Sequence, residues 1–385
     1  MSLNERLTQI QPNAIRAFDA QISDVADILK LTLGEPDFNV PTHIKQAAID
    51  SILADDSHYA PAAGTQALRE AAVHFLADRY NLQYDADSQV IVTLGATEGI
   101  YDTITAVVNP GDRVLIPAPN FPLYDPTVVL AGGVPTYVDT SATDFLLTPD
   151  QLQGAIDTYG DQLVAVVLNY PSNPTGATYT SEQLSALADV LRGTDITVIA
   201  DEIYSELVYD GQHTSIAQYL PDQTLVLNGV SKSHAMTGYR IGFVVGPTKL
   251  IRAVGLIHQF AVTSASNPAM AGAAEALGTE AGRQDTLAMK AEYAARRDYL
   301  VKALRELGFA IPQPAGAFYV FAQIPDGLAQ DDVAFSLALA QEGKVAVIPG
   351  SAFGIGGAGY IRLSYAASLA DLQTAVARIA AFITD

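Results

Sequence analysis

The residue with the clearest chemical potential is Lys232, in the segment SKSHAMTGYRIG, which also contains an arginine eight positions further on. A lysine amine is nucleophilic only when neutral, and its ordinary pKa of about 10.4 keeps it protonated at neutral pH. Burial lowers that pKa by up to roughly 3 units, after which the amine can form a Schiff base with an aldehyde. Arg240 suits the phosphate of a phosphorylated aldehyde, because a guanidinium binds phosphate bidentately. A single lysine is more often a solvated surface residue, so a reactive role for Lys232 depends on evidence from the other motifs.

Ligands bind beyond the carboxyl ends of the strands in an open α/β sheet, which gives weight to polar residues after apolar runs. Gly95, Ala96 and Thr97 follow VIVTL, where a helix is expected to begin. Backbone amides at a helix start, with the Thr97 hydroxyl, can cradle a phosphate. An ordinary threonine N-cap is the alternative.

Two further apolar runs are followed by polar residues of interest. LVAVVLN precedes YPSNPTG, where Asn173 either forms a simple turn or donates to a ligand oxygen. TVIA precedes Asp201 and Tyr204. A carboxylate at a buried strand end needs a cationic partner, such as a protonated pyridine nitrogen, unless it only caps a helix.

The motifs NPTG, ADEIYSELVYDG, SKSHAMTGYRIG and IRLSYA occur in this order, and the resemblance that they carry runs from Gly34 to Arg362. Together they make the chain resemble the pyridoxal-phosphate-dependent aminotransferases of class I and II, which have the fold type I of aspartate-aminotransferase-like enzymes. Each motif is moderately specific for this family, and the four together are strong evidence for the resemblance.

The resemblance implies a role for each residue around the cofactor ring. Lys232 would form the Schiff base and move the substrate proton. Asp201 would pair with the pyridine nitrogen, and Asn173 and Tyr204 would contact the ring hydroxyl oxygen. Phe121, in APNFPLY, would cover the ring face with Tyr124 beside it, although a lone aromatic residue more often packs in a core.

The resemblance also implies how the charged groups of cofactor and substrate are bound. Tyr59, in HYAPAAGTQALREA, resembles a tyrosine that reaches the phosphate in the neighbouring subunit, so the active sites of a homodimer would be shared. The substrate α-carboxylate would be held by Gly34, Asn173 and Arg362, the last through a bidentate pair. The cofactor phosphate would be bound by Gly95, Ala96, Thr97, Ser231 and Arg240.

Gly229 departs from the family pattern, because many relatives have a serine or threonine three residues before the lysine. Ser231 is then expected to contact the phosphate without that help. His234 lies two residues from Lys232 and either lines the cofactor site or has a structural role.

Short apolar runs alternate with amphipathic helical segments from about residue 45 to 280, which predicts an α/β domain with a mostly parallel sheet flanked by helices. Residues 45–284 are predicted to form this large cofactor-binding domain, and residues 285–385 a smaller α+β domain. Residues 1–44 are too few to fold alone and are expected to pack on the small domain. Ser181 is expected to cap the helix SEQLSALADVLRG, which should stop at Gly193.

Composition excludes several classes of function. The net charge of −21 opposes binding to nucleic acid or anionic membranes, and the absence of cysteine excludes disulfides and thiolate metal sites. We expect a cytoplasmic protein, because neither a signal-peptide core nor a membrane-spanning apolar stretch is found. No metal site is expected, since the six histidines include no close pair. The GxGxxG match at residues 354–359 precedes a strand-like segment instead of a helix, so it is interpreted as a turn.

The predicted reaction moves the amino group of an L-amino acid to a 2-oxo acid, with 2-oxoglutarate as the expected acceptor, by a ping-pong mechanism. Aspartate, alanine, aromatic amino acids and N-acetyl-diaminopimelate are all open as donors. A cystathionine-type β-lyase with the same cofactor is the enzymatic alternative, and a non-catalytic ligand-sensing module is the alternative of another class. Apolar candidates for the side-chain pocket favour aromatic or broad specificity, and they are Ile15, Phe18, Phe318 and Phe353.

Overall fold

The computed structural model describes residues 3–384 and places twelve strands in this part of the chain. Seven of them form one large sheet, and five short ones form two small sheets. The strands are β1 Leu29–Lys30, β2 Val90–Thr93, β3 Arg113–Ala118, β4 Val134–Asp139, β5 Leu163–Asn169, β6 Thr197–Asp201, β7 Thr224–Gly229, β8 Gly242–Val245, β9 Tyr319–Gln323, β10 Val345–Ala346, β11 Ile348–Pro349 and β12 Tyr360–Ser364.

The same residues contain thirteen α-helices and six short 3₁₀ helices, which lie at 5–9, 141–143, 160–162, 216–218, 237–239 and 350–353. The α-helices are α1 Ala14–Gln21, α2 Thr42–Leu53, α3 Gln66–Tyr80, α4 Gly95–Val107, α5 Tyr124–Ala131, α6 Pro149–Tyr159, α7 Ser181–Leu191, α8 Val230–Ser233, α9 Thr248–Ala261, α10 Asn267–Gly278, α11 Glu280–Glu306, α12 Asp332–Gln341 and α13 Leu369–Thr384.

The large sheet has the strand order β2-β8-β7-β6-β5-β3-β4. Neighbouring strands are parallel except for β8, which is antiparallel to both β2 and β7. Both faces of the sheet are covered, as the alternation along β5 shows. Val166 and Leu168 point into the core on the side of α6 and α7, whereas Ala165 and Val167 point to the side of α4 and α9. The predicted α/β class with a mostly parallel, helix-flanked sheet is therefore confirmed.

The ends of the chain come together in the small sheets. Leu29 of β1 pairs with Val345 of β10 in a parallel ladder. A separate antiparallel sheet has the order β11-β12-β9 and contains Arg362 at its centre. The domain boundaries drawn from the sequence stay a prediction, and the one after residue 284 falls within the continuous helix α11.

The capping residue expected for α7 was wrong by one position. Thr180, not Ser181, is the N-cap, because its hydroxyl accepts from the Gln183 N–H at 3.3 Å and the Gln183 side chain accepts from the Thr180 N–H at 2.8 Å. The helix ends at Leu191, two residues before the expected stop. Across residues 3–384, every helix is either too short or too polar to span a bilayer.

Candidate active site

A cleft of about 630 Å³ opens at the carboxyl ends of β5 and β6, beside the first turn of α4. Helix α1 and the segment after β1 contribute its other side. Most of the residues singled out from the sequence lie in its lining, although they come from distant parts of the chain. Those residues are Gly34, Ala96, Thr97, Phe121, Asn173, Asp201, Tyr204, Ser231, Lys232, Arg240 and Arg362.

Lys232 extends from the short helix α8 into this cleft. Its Nζ donates a hydrogen bond to the carbonyl oxygen of Gly34 and lies 5.9 Å from the centre of the Tyr204 ring. Burial lowers the pKa of Lys232 to about 8, and two nearby arginines act in the same direction, against Glu35, which raises it. A useful fraction of the amine is therefore neutral near neutral pH.

Asp201 ends strand β6 and is buried at the inner end of the cleft. The phenol of Tyr124 donates to its Oδ2 at 2.7 Å, and the Ile203 N–H donates to its Oδ1 at 3.3 Å. Burial raises the pKa of Asp201 to about 6, against the lowering by these two hydrogen bonds. The carboxylate is therefore mainly ionised at pH 7 and can stabilise a cation that binds beside it in the cleft.

A cradle for an anion forms where α4 begins. The first N–H groups of a helix have no partner within the helix, and those of Ala96 and Thr97 lie at the cleft. Arg240 approaches this helix end so closely that a Cβ on Gly95 would lie 2.7 Å from its Nη2. Gly95 also has a φ of +71°, which favours glycine. Two amides, the Ser231 hydroxyl and a guanidinium thus surround one space that suits a phosphate dianion.

The departure at Gly229 has a steric reason in this structure. A Cβ at Gly229 would lie 2.7 Å from the Cα of Gly242 and 2.8 Å from the Ile241 carbonyl oxygen. Gly242 is equally confined, since its Cβ would lie 2.5 Å from the Ala96 nitrogen. The close contact of β7, β8 and the start of α4 therefore leaves no room for a serine or threonine at position 229.

Arg362 lies in β12 and is almost fully buried at the cleft, with 2% of its surface exposed. Its Nη1 donates to Asn173 Oδ1 and its Nη2 to the Thr32 carbonyl oxygen, both at 2.8 Å. Its guanidinium carbon lies 4.4 Å from the centre of the Tyr319 ring and 4.9 Å from that of Phe353. Two of the five N–H groups of a guanidinium are thus used, and three remain, of which the Nε–H has no partner within residues 3–384.

Tyr319 lines the cleft but was missed by the sequence analysis, which proposed its neighbour Phe318. Tyr319 and Tyr204 share a hydrogen bond of 2.9 Å between their hydroxyls. Successive side chains of an extended segment point to opposite sides. A prediction that is wrong by one residue therefore names a side chain that faces the core and not the cleft. The aromatic residues of the segment GAFYVF were the sequence feature that could have indicated Tyr319.

Only one of the four apolar pocket candidates lines the cleft, and that one is Ile15. Phe18 and Phe353 belong to a separate buried cluster with Phe321. Helix α1 instead brings Arg16 to the cleft, a residue that the sequence analysis did not consider.

Besides Gly95, which adjoins the lining at the start of α4, two other candidates lie outside the cleft lining. Tyr59 is 91% exposed in a loop before α3. His234 is buried with its ring nitrogens against the hydroxyls of Ser233 and Thr286, at 2.8 and 3.1 Å. Burial lowers the pKa of His234 to about 4, which fits a structural role for a neutral ring.

The chain is similar to known aminotransferases in both sequence and structure. Residues 26–379 match the family described as aminotransferase class I and II. The chain is 40% identical over 382 residues to a probable N-acetyl-LL-diaminopimelate aminotransferase of Bacillus subtilis, covering 99% of this chain and 95% of that protein. It is 35% identical over 384 residues to aromatic-amino-acid aminotransferase 2 of Thermococcus litoralis, covering 98% and 97%. The solved structure of aspartate aminotransferase from Thermus thermophilus with maleate superimposes with a TM-score of 0.94 at 36% identity, covering 99% of this chain and 100% of that chain.

Proposed function

The chain belongs to the class I and II aminotransferases, and from this premise we propose that it binds pyridoxal 5′-phosphate at Lys232 and transfers the amino group of a dicarboxylic amino acid to a 2-oxo acid such as 2-oxoglutarate. The observation that carries the proposal is the position of the Lys232 amine. It lies in one cleft with the buried carboxylate of Asp201 and the anion cradle at the start of α4. These three groups match the aldehyde, the ring nitrogen and the phosphate of the cofactor.

Pyridoxal 5′-phosphate, when bound, supplies an electron-withdrawing ring and a carbon that stores the amino group between the two half-reactions. An ionised Asp201 stabilises a protonated ring nitrogen. Asn173 and Tyr204 line the same cleft and would supply donors for the ring oxygen, and Phe121, also in the lining, would cover the ring face. The Nζ of Lys232 would accept the proton that leaves the substrate Cα. It would then donate this proton to the carbon that takes up the amino group.

The proposed attachment can be tested by reduction with borohydride. The cofactor should become fixed to the protein and add its mass to the single peptide that contains Lys232. The reduced protein should be inactive, because its amine can no longer exchange with a substrate. A label on another lysine, or none after incubation with excess cofactor, would contradict the assignment.

Arg16 supports a donor with a second carboxylate. It lies on α1 at the cleft that also contains Arg362, and it forms no ion pair with a carboxylate of residues 3–384. The nearby Asp19 is already paired with Lys30 at 2.8 Å. A substrate bound through its α-carboxylate at Arg362 would lie in the same cleft as the exposed guanidinium of Arg16. Aspartate, N-acetyl-diaminopimelate and 2-oxoglutarate all have the second carboxylate that would use it.

Replacing Arg16 with glutamine is expected to lower kcat/KM for aspartate by roughly 10–100-fold, the effect of losing one hydrogen bond between charged groups. Values for phenylalanine and alanine should stay within about threefold, because neither has the second carboxylate. A donor screen against 2-oxoglutarate, followed by product chromatography, measures both. Arg192→Gln is a control, since the ion pair of Arg192 within residues 3–384 is with Asp189 of α7, and both side chains are largely exposed. Equal losses for aspartate and phenylalanine would remove Arg16 from substrate recognition.

A homodimer with shared active sites is part of the proposal. Leu256 and Phe260, one turn apart on α9, are 57% and 83% exposed, and Tyr101 on the adjacent α4 is also exposed. Exposed apolar side chains of this size are typical of protein interfaces. The exposed Tyr59 is then available to reach the phosphate cradle of the partner.

A further inference from the structure

The loop that presents Tyr59 is held at both of its ends by buried side chains. On one side, Asn267 Nδ2 donates to the His58 carbonyl oxygen at 2.8 Å. On the other, the Ala62 carbonyl oxygen lies 2.8 Å from His258 Nε2. Tyr59 projects between these two anchors with most of its surface exposed.

His258 lies on α9 and its side chain is fully buried, yet both of its ring nitrogens contact acceptors. Its Nδ1 lies 2.8 Å from Glu98 Oε1, while its Nε2 faces the Ala62 carbonyl oxygen. A neutral imidazole has a single N–H and satisfies only one of these partners. While both partners act as acceptors, the two hydrogen bonds form together only when the ring is an imidazolium.

The second oxygen of Glu98 continues this line of contacts to the anion cradle. Glu98 Oε2 accepts from the backbone N–H of Leu94, the residue directly before Gly95 and the start of α4. A parallel connection runs from the Val92 N–H to the Ala63 carbonyl oxygen at 3.1 Å. The loop around Tyr59 is thereby tied to the segment that forms the cradle, and His258 is the central link.

We propose that His258, as an imidazolium, is a positioning residue that holds the Tyr59 loop in register with the start of α4, so that Tyr59 reaches the phosphate site of the partner subunit. The proposal rests on the cofactor and the shared dimer proposed above. It assigns His258 no contact with substrate or cofactor. Its effect is exerted through the loop, and therefore through Tyr59.

The charges that face His258 favour the imidazolium. Glu98 and Asp102 face it from α4, with Asp102 Oδ2 at 3.8 Å, while the loop contributes a carbonyl and β2 only apolar or hydroxyl side chains. Asp102 is fully buried, and neither of its carboxylate oxygens has a hydrogen-bond partner within residues 3–384. Burial lowers the pKa of His258, but the hydrogen bond and charge of Glu98 and the hydrogen bond to Ala62 outweigh it and leave the pKa raised. Asp102 adds a smaller effect, because burial raises its own pKa to about 7. The link is thus complete at low pH and is lost as the pH rises through that raised pKa.

The test measures the dissociation constant of pyridoxal 5′-phosphate from the full-length dimer in a double-mutant cycle. Tyr59→Phe and His258→Gln are each expected to weaken binding by about tenfold. In the His258→Gln background, Tyr59→Phe should add less than about threefold, because the loop no longer presents Tyr59. If Tyr59→Phe weakens binding as much in that background as in the wild type, the proposal is overturned.

Two further variants separate positioning from general damage. Asn267→Ser removes the other anchor and should show the same coupling to Tyr59. His43→Gln is the matched control, because both ring nitrogens of His43 also contact acceptors, the carboxylates of Glu275 and Asp285 at 2.7 Å, and neither acceptor belongs to the Tyr59 loop. It should leave cofactor affinity unchanged. A loss of affinity in His43→Gln equal to that in His258→Gln would overturn the proposal.

The protonation state is tested by repeating the measurement across pH. The ratio of the dissociation constants of His258→Gln and wild type should be largest near pH 6 and shrink as the pH rises. A constant ratio would overturn the proposal that His258 acts as an imidazolium. Stoichiometric zinc or manganese in the purified holoenzyme would also overturn it, because a metal would then occupy the space between Glu98, Asp102 and His258. A wild-type protein that binds no cofactor would instead refute the proposed function.

Discussion

Replacing Lys232 with alanine is expected to lower kcat for transamination by at least about 10⁴-fold. The substitution removes the cleft amine that we propose exchanges with the substrate and moves the Cα proton. It leaves Asp201 and the anion cradle intact, so the variant should still take up the cofactor non-covalently. Steady-state rates with aspartate and 2-oxoglutarate measure the loss, and the absorbance of the bound cofactor shows that the site remains formed.

A lysine far from the cleft provides the control for this substitution. Lys302 is largely exposed on α11, and Lys302→Ala should retain wild-type kcat. A Lys232→Ala protein with more than a few per cent of wild-type activity would show that another group performs the proton transfer. Added methylamine should partly restore the variant, because it supplies the missing base in solution.

Replacing Arg362 with lysine is expected to lower kcat/KM by roughly 10²–10⁴-fold for every amino-acid donor. Lysine keeps the positive charge but loses the planar fork, which costs about two charged hydrogen bonds at roughly 1.5–3 kcal/mol each. The contacts of Arg362 with Asn173 and Thr32 aim the remaining N–H groups, and a lysine ammonium cannot reproduce this geometry. The loss should be similar for aspartate and alanine, because both have the same α-carboxylate.

Arg378→Lys is a matched control for this prediction. Arg378 likewise makes two hydrogen bonds, to the backbone carbonyl oxygens of Asp27 and Lys344, but it lies outside the cleft lining. It should alter the free energy of unfolding without changing kcat/KM. If Arg362→Lys affected aspartate much more than alanine, Arg362 would bind the distal carboxylate and not the α-carboxylate.

Several site residues could be predicted because local sequence already places them at strand ends. Asp201 follows an apolar run long enough for a buried strand, and Asn173 follows another. Parallel neighbours end at the same edge of the sheet, so these residues had to lie close together. The roles assigned to them stay predictions that the variants above address.

Other features depend on contacts that no local pattern shows. Tyr319 is the first residue of β9 and Phe318 precedes it, so which of the two faces the cleft depends on how β9 pairs with β12. Glu98 and His258 are 160 positions apart, and neither forms a recognisable motif by itself. Their contact follows from the packing of α4 against α9 on one face of the large sheet.

The class of fold and the reactive side chains at strand ends could be predicted from the chain alone, because hydrophobic periodicity and chain order are local properties. How these groups are protonated and paired follows only from folding. The lowered pKa of Lys232, the raised pKa of Asp201 and the imidazolium inferred for His258 all depend on burial and on charges brought near by folding. Desolvation and Coulomb energies depend on distances in space, which the order of residues along the chain does not contain.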